Sequence, residues 1–275
     1  MRLTRLLVIE LLALYSAVGC NPPLRLLTDH PFDTLDKYSY IIVTTDLHTK
    51  KEDVATGFFY RYNNKLFLVT AYHVLTGYDV LNKAFKDIRP DTMTVWYRDS
   101  TDRHYRTEGF SLERYQLRDT QDILRLSDVD IIEVTDRFKD ARINSVDSLI
   151  LDEGANELLV GDIVAVYGFP NVSDKTIDSL HNHIKVPARG FVCKTMSAPK
   201  RSPGSDVTTV YSYLRPPLQP GVSGAPIFRI TTAHTFRKTL EFMGIQSYSN
   251  DPNQLSLIVK EGEMKKRLKD MLHLK

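Results

Sequence analysis

Acyl transfer asks a chain for a hydroxyl, an imidazole and a carboxylate, and this sequence offers each at one end of a strand-like run. Ser223 lies in Leu218-Gln219-Pro220-Gly221-Val222-Ser223-Gly224-Ala225-Pro226-Ile227, a turn with glycine close on either side and an apolar run behind it. Gly221 and Gly224 carry no β-carbon, so the backbone can bend sharply there and present the Ser223 hydroxyl outward. The same bend can aim the N–H groups of Gly221 and Ser223 at one point, where they would meet the charge that develops on an attacked carbonyl oxygen. His73 ends the run Leu68-Val69-Thr70-Ala71-Tyr72-His73. A carboxylate opens the run Asp128-Val129-Asp130-Ile131-Ile132-Glu133-Val134, with Asp128 in one register and Asp130 in the other. A glycine-serine turn alone is common, and a lone histidine near a strand end is more often a surface group; the combination carries the signal.

The order along the chain is histidine, aspartate, serine, unlike the order of α/β-hydrolases or of subtilisins. The hydrolase elbow also needs glycine two residues after its serine, where this chain has Ala225. With Thr70-Ala71-Tyr72-His73, Asp128 to Ile132 and Gly221 to Pro226, the chain resembles trypsin-like (chymotrypsin-fold) serine proteases, the bacterial HtrA-like branch in particular, from about Thr56 to Tyr248. The resemblance implies an all-β fold of two antiparallel six-stranded barrels with the site between them. It implies Ser223 as nucleophile, His73 as base and Asp128, or alternatively Asp130, behind the ring. The N–H groups of Gly221 and Ser223 would form the oxyanion hole. A peptide or protein substrate would pair as an added strand with Gly244, Ile245 and Gln246. No cofactor and no metal is implied. Zymogen-type relatives place an aspartate where Val222 stands, so no activation by N-terminal cleavage within the domain is expected. The reading from another class is a non-catalytic protein that keeps the fold and binds peptides.

Composition agrees with an ordinary globular chain. Of 275 residues 42% are hydrophobic and 25% charged, and the net charge is only +2, which gives no field for nucleic acid. Thirteen prolines and thirteen glycines punctuate short Val, Ile, Phe and Tyr runs, the texture of an all-β domain. Cys20 and Cys193 do not make a disulfide framework, and Cys193 reads as a small core residue. His181 and His183 lack further metal-ligand partners nearby in sequence and read as part of a polar loop, as does Asp122.

The elements that must position the three groups follow the same resemblance. Residues 38–45, 56–62 and 65–70 read as strands, the last two joined by Asn63-Asn64 as a tight hairpin that delivers His73 to a sheet edge. The first barrel is expected over about 36–145. The second is expected over about 155–250, with a turn, a buried strand and a stop within 158–170 and strands at 185–193, 207–214, 226–230 and 240–248. Met264, Leu268, Met271 and Leu272 recur at helical spacing and predict a terminal helix at about 260–273, leaving no length for a PDZ module. At the other end, Met1-Arg2-Leu3-Thr4-Arg5 is basic, Leu6 to Val18 mostly apolar, and Ala17-Val18-Gly19-Cys20 small. That layout predicts a secretory signal over 1–19 with Cys20 as a lipidated first residue, then a tether over 20–35. It implies a lipid-anchored protein on the periplasmic side of a bacterial envelope; the alternative is a cytoplasmic protein with an ordinary N-terminal helix. The segment near the serine, Leu214 to Gln219, holds no acidic side chain. A small or apolar residue before the cleaved bond is therefore expected.

Overall fold

The computed structural model describes residues 25–28, 31–97, 105–113, 127–147, 157–170, 189–197, 210–232, 238–250 and 255–272. Cys20 and the signal segment, Asp122, and His181 with His183 lie outside these residues. Strands dominate, in two sheets with a two-stranded ribbon beside them. The first large sheet runs β8-β7-β2-β3-β4-β9, from β2 (Tyr40–Thr45), β3 (Glu52–Tyr62), β4 (Lys65–Thr70), β7 (Thr92–Tyr97), β8 (Arg106–Ser111) and β9 (Asp130–Glu133). A short β10 (Ser145–Asp147) adds to β3 in parallel. The second runs β15-β14-β11-β12-β13-β16, from β11 (Ile163–Gly168), β12 (Arg189–Met196), β13 (Tyr211–Arg215), β14 (Pro226–Thr232), β15 (Lys238–Asn250) and β16 (Leu255–Lys260). β15 and β16 also pair with each other, which closes these six strands into a barrel. The first sheet is curled rather than closed: among the described residues, β8 and β9 do not pair. β5 (Tyr78–Asp79) and β6 (Ala84–Phe85) make the ribbon.

β3 and β4 are buried on both faces, which explains their near-continuous apolar sequence. Successive side chains of a strand point to opposite faces. Phe58, Tyr60, Phe67 and Val69 turn toward the second barrel and share one core with Phe228, Phe242, Ile245, Leu257 and Val259. Ala55, Phe59, Leu66 and Leu68 turn the other way, into the first sheet's own core with Ile42, Met93 and Val95. The Asn63-Asn64 hairpin forms as expected, both residues taking the positive φ (47° and 62°) that Asn tolerates.

Two boundaries differ from the sequence reading. The tether expected over 20–35 is in part structure: β1 (Arg25–Thr28) pairs with β15, and α1 (Pro31–Leu35) buries Leu35 completely. The Phe32 ring lies where a β-carbon on Gly190 would stand, so a glycine is needed on β12 at that point. The second barrel also continues past 250. β16 is the strand that closes it, and α3 (Glu261–Met271) follows without a break, burying Met264 and Leu268 in the shared core.

Candidate active site

His73 is placed by the abrupt end of β4. After Thr70 the chain enters α2 (Tyr72–Thr76), a single helical turn closed by Gly77, whose φ is 67° and whose N–H donates to the His73 carbonyl at 2.9 Å. The first N–H groups of a helix have no partner within it. The His73 N–H instead donates to Asp128 Oδ1 at 2.9 Å, while His73 Nδ1 meets Asp128 Oδ2 at 2.7 Å. One carboxylate therefore holds both the backbone and the ring of the histidine. A carboxylate only accepts, so Nδ1 carries the proton and Nε2 of the neutral ring is left as the basic nitrogen. Asp128 is 3% exposed. Burial opposes its charge, but the facing imidazole, together with hydrogen bonds from His73 and Ser247, holds its carboxyl below the usual carboxylate range.

The serine turn comes from the second barrel, between β13 and β14. Two overlapping turns build it: the Val222 N–H donates to the Gln219 carbonyl (3.4 Å) and the Ala225 N–H to the Val222 carbonyl (3.0 Å). Gly221 (φ 88°) and Gly224 (φ 86°) each occupy the third position of a turn, where positive φ calls for glycine. Gly224 also packs where no β-carbon fits, against the Thr56 carbonyl and the Thr70 hydroxyl, with Ala71 N 3.1 Å from the position a Cβ would take. The serine turn is thus seated directly on the end of the strand that carries His73. Val222 is fully buried in an apolar cluster with Val166, Leu218, Ile227 and Ile258.

The Ser223 hydroxyl donates to the Ser247 carbonyl at 3.2 Å, and among the described residues it is not hydrogen-bonded to His73. Ser247 in turn donates its own hydroxyl to Asp128 Oδ2 at 2.6 Å. The Asp128 N–H donates to the Tyr211 hydroxyl at 3.0 Å. Burial first, then the Asp128 charge, raises the Tyr211 phenol well above its ordinary value, so it stays neutral. Ser247 and Tyr211 both belong to the second barrel and hold the acid of the first. Neither was foreseen from sequence. The available signal was the polar pair Gln246-Ser247 inside an apolar strand, 1% and 0% exposed.

Two sequence expectations are corrected. The alternative acid, Asp130, is two residues further along, paired with Thr70 in the β4–β9 ladder. Its Oδ1 accepts from the Ile131 N–H and from Arg267 Nε at 3.3 Å, so its carboxylate serves α3 and not His73. The substrate edge expected at Gly244, Ile245 and Gln246 is already occupied on both sides: Gly244 and Ile245 pair with Ile227 and Pro226 of β14 and with Lys260 and Val259 of β16. Gln246 bonds to Gly224 and Ala225 through its backbone and lies opposite Ile258. The β15–β16 register shifts between Gln246 and Tyr248, so the pairing is interrupted at Ser247.

A cavity of about 240 Å³ lies beside the histidine, lined by Thr44, Asp53, His73, Val74, Gly77, Lys86, Asp87, Ile88 and Pro90. Cys193 is 1% exposed, and burial pushes its thiol up to about 12, so it is a packing residue and not a nucleophile. No group of metal-ligating side chains occurs among the described residues.

No family model and no curated protein sequence matches the chain. Solved structures do. The thermostable serine protease AL20 from an extremophilic microorganism is similar over 86% of this chain and 99% of its own, with 11% identity and a TM-score of 0.51. The structure of GrC is similar over 90% of this chain and 98% of its own, with 12% identity and a TM-score of 0.50. Protease Anisep from Arthrobacter nicotinovorans is similar over 82% and 90%, with 13% identity and a TM-score of 0.45. The likeness to AL20 and GrC is one of fold alone: a closed six-stranded barrel beside a curled half-barrel sheet, as in chymotrypsin-like folds.

Proposed function

We propose that this protein is a serine endopeptidase in which Ser223 is the nucleophile, His73 the general base and Asp128 the residue that orients and charges against the ring. The observation that carries the reading is the doubly bonded His73–Asp128 pair, with Nδ1 turned to the carboxylate, at the seam where the Ser223 turn is seated. For this chemistry the Ser223 hydroxyl has to turn from the Ser247 carbonyl to Nε2. Such contacts are often loose until substrate arrives. The Ser223 oxygen then attacks the peptide carbonyl as His73 takes its proton. The N–H groups of Gly221 and Ser223 donate to the oxyanion, and neither has another acceptor among the described residues. His73 returns the proton to the departing amine, leaving an acyl-enzyme that water hydrolyses.

The test is reaction with a fluorophosphonate probe and cleavage of casein. Wild-type protein should be labelled and should cleave; Ser223→Ala should do neither. Equal labelling of the two proteins overturns the assignment. Wild-type protein that binds peptides but takes no label would make it a peptide-binding protein on a protease fold. We further propose, from residues 1–20, a lipoprotein of a bacterial envelope related to the HtrA-like branch; palmitate incorporation that Cys20→Ala abolishes tests the anchor, and incorporation that persists in that variant refutes it.

A further inference from the structure

The oxyanion turn has to keep alternate peptide groups facing opposite ways. Along Pro220 to Gly224, the N–H groups of Gly221 and Ser223 are unbonded among the described residues, while the carbonyls of Gly221 and Ser223 are both bonded on the other side. One residue of the first barrel holds both. Thr56 Oγ1 donates to the Gly221 carbonyl at 2.8 Å, and the Thr56 N–H donates to the Ser223 carbonyl at 2.9 Å. We infer that Thr56 is a positioning residue for catalysis, holding the oxyanion turn in its donor-out form across the barrel seam; this rests on the protease reading above.

Thr56 is itself held on every side. It is fully buried. Its hydroxyl has one proton, given to Gly221, and it accepts the Phe169 N–H at 3.2 Å. Its carbonyl accepts the Thr70 hydroxyl at 2.9 Å, and Thr70 is the last residue of the strand that leads to His73. Gly168 lies against it, since a β-carbon there would stand 3.0 Å from Thr56 Oγ1. The hydroxyl is therefore oriented before any substrate arrives. It is needed because of the glycine it serves. The peptide between the second and third residues of a four-residue turn can turn over, exchanging one turn type for another. Gly221 accepts either sign of φ at little cost. Turned over, the peptide would present the Pro220 carbonyl where the Gly221 N–H should be, and an acceptor there repels an oxyanion.

Thr56→Val removes the hydroxyl and keeps the shape; Thr56→Ser keeps the hydroxyl. After active-site titration, Thr56→Val should lose about 10²-fold in kcat, the loss expected for one oxyanion donor, with KM nearly unchanged. Thr56→Ser should restore most of that loss. Affinity for a peptide aldehyde, whose adduct places an oxygen in the hole, should fall with kcat. Folded Thr56→Val with wild-type kcat, or with a loss confined to KM, overturns the proposal. A second readout does not need activity. In a crystal structure of Thr56→Val the turn at Gly221 should leave its positive φ; an unchanged turn overturns the positioning role even if the protein proves to be no protease. Failure of wild-type protein to take the fluorophosphonate, with the turn altered in Thr56→Val, sinks the protease reading and leaves the role of Thr56 in the turn standing.

Discussion

At the scale of single residues, the two aspartates of one short strand make the sharpest contrast. Asp128 and Asp130 are both buried, both acidic and two positions apart, so they point to the same face of an extended chain. Their partners differ because Asp128 precedes β9 and reaches the α2 N-terminus, whereas Asp130 is inside the ladder and reaches Arg267. Asp128→Asn should leave the fold intact and lower kcat by about 10⁴-fold, because an amide facing Nδ1 favours the wrong tautomer of His73. Asp130→Asn should leave kcat at the wild-type level and lower Tm, since it leaves Arg267 without its buried partner. Steady-state kinetics and thermal melts on the two variants check this. Equal losses of kcat would mean the two carboxylates are not separated as described. Sequence spacing alone left the two registers open, because both satisfy the same alternation. The distinguishing fact is a backbone N–H at the start of a helical turn, which no side-chain pattern encodes.

At the scale of elements, the histidine strand and the serine turn were legible for different reasons. β3 and β4 announce themselves by continuous apolar runs broken at Asn63-Asn64, and their burial on two faces accounts for those runs. The serine turn announces itself by its glycines. What stayed hidden is the set of contacts made across the seam by Thr56, Tyr211 and Ser247: the Thr56–Gly221, Tyr211–Asp128 and Ser247–Asp128 hydrogen bonds join residues 165, 83 and 119 positions apart. β16 lies beyond the expected boundary at 250, although Leu-Ser-Leu-Ile-Val-Lys is an ordinary strand pattern. With β16 in place, Gly244 to Gln246 are interior to the barrel wall, and the first interruption in pairing comes at Ser247. Gly224 is where element meets element. A β-carbon there would overlap Thr56 and Thr70 backbone and side-chain atoms, and the φ of 86° adds strain for any other residue. Gly224→Ala should therefore abolish activity by lifting the serine turn off β4. The expected readout is loss of fluorophosphonate labelling in a protein whose far-UV circular dichroism still shows strands. Undiminished labelling would mean the turn and β4 are not in contact.

At the scale of the whole molecule, the two barrels do not have separate interiors at the seam. Phe58, Tyr60, Phe67 and Val69 of the first share a core with Phe228, Phe242, Leu257 and Val259 of the second, and α3 adds Met264 and Leu268 to it. Domains joined this way have no independent stability to fall back on, so they should unfold together. The charge at the seam makes that coupling depend on pH. Asp128 has a depressed carboxyl in the folded protein, with burial opposing and His73 and Ser247 favouring its ionised form. A group lowered on folding adds stability that is complete above its unfolded value, near 3.9 for a free aspartate. That stability is lost as pH falls through the folded value, because the unfolded chain then binds the proton first. Wild-type protein should accordingly exceed Asp128→Asn in stability at neutral pH, and the difference should shrink steadily below about pH 4. Urea unfolding at several pH values measures it. The single tryptophan, Trp96, reports the first barrel, and far-UV circular dichroism reports both. The two probes should give one midpoint at each pH, moving together as the solution is acidified. A gap between wild type and Asp128→Asn that stays constant from neutral pH to below 3 would mean the Asp128 carboxyl is not held ionised at the seam, and separate midpoints for the two probes would mean the barrels do not share the core that seats the serine turn on the histidine strand.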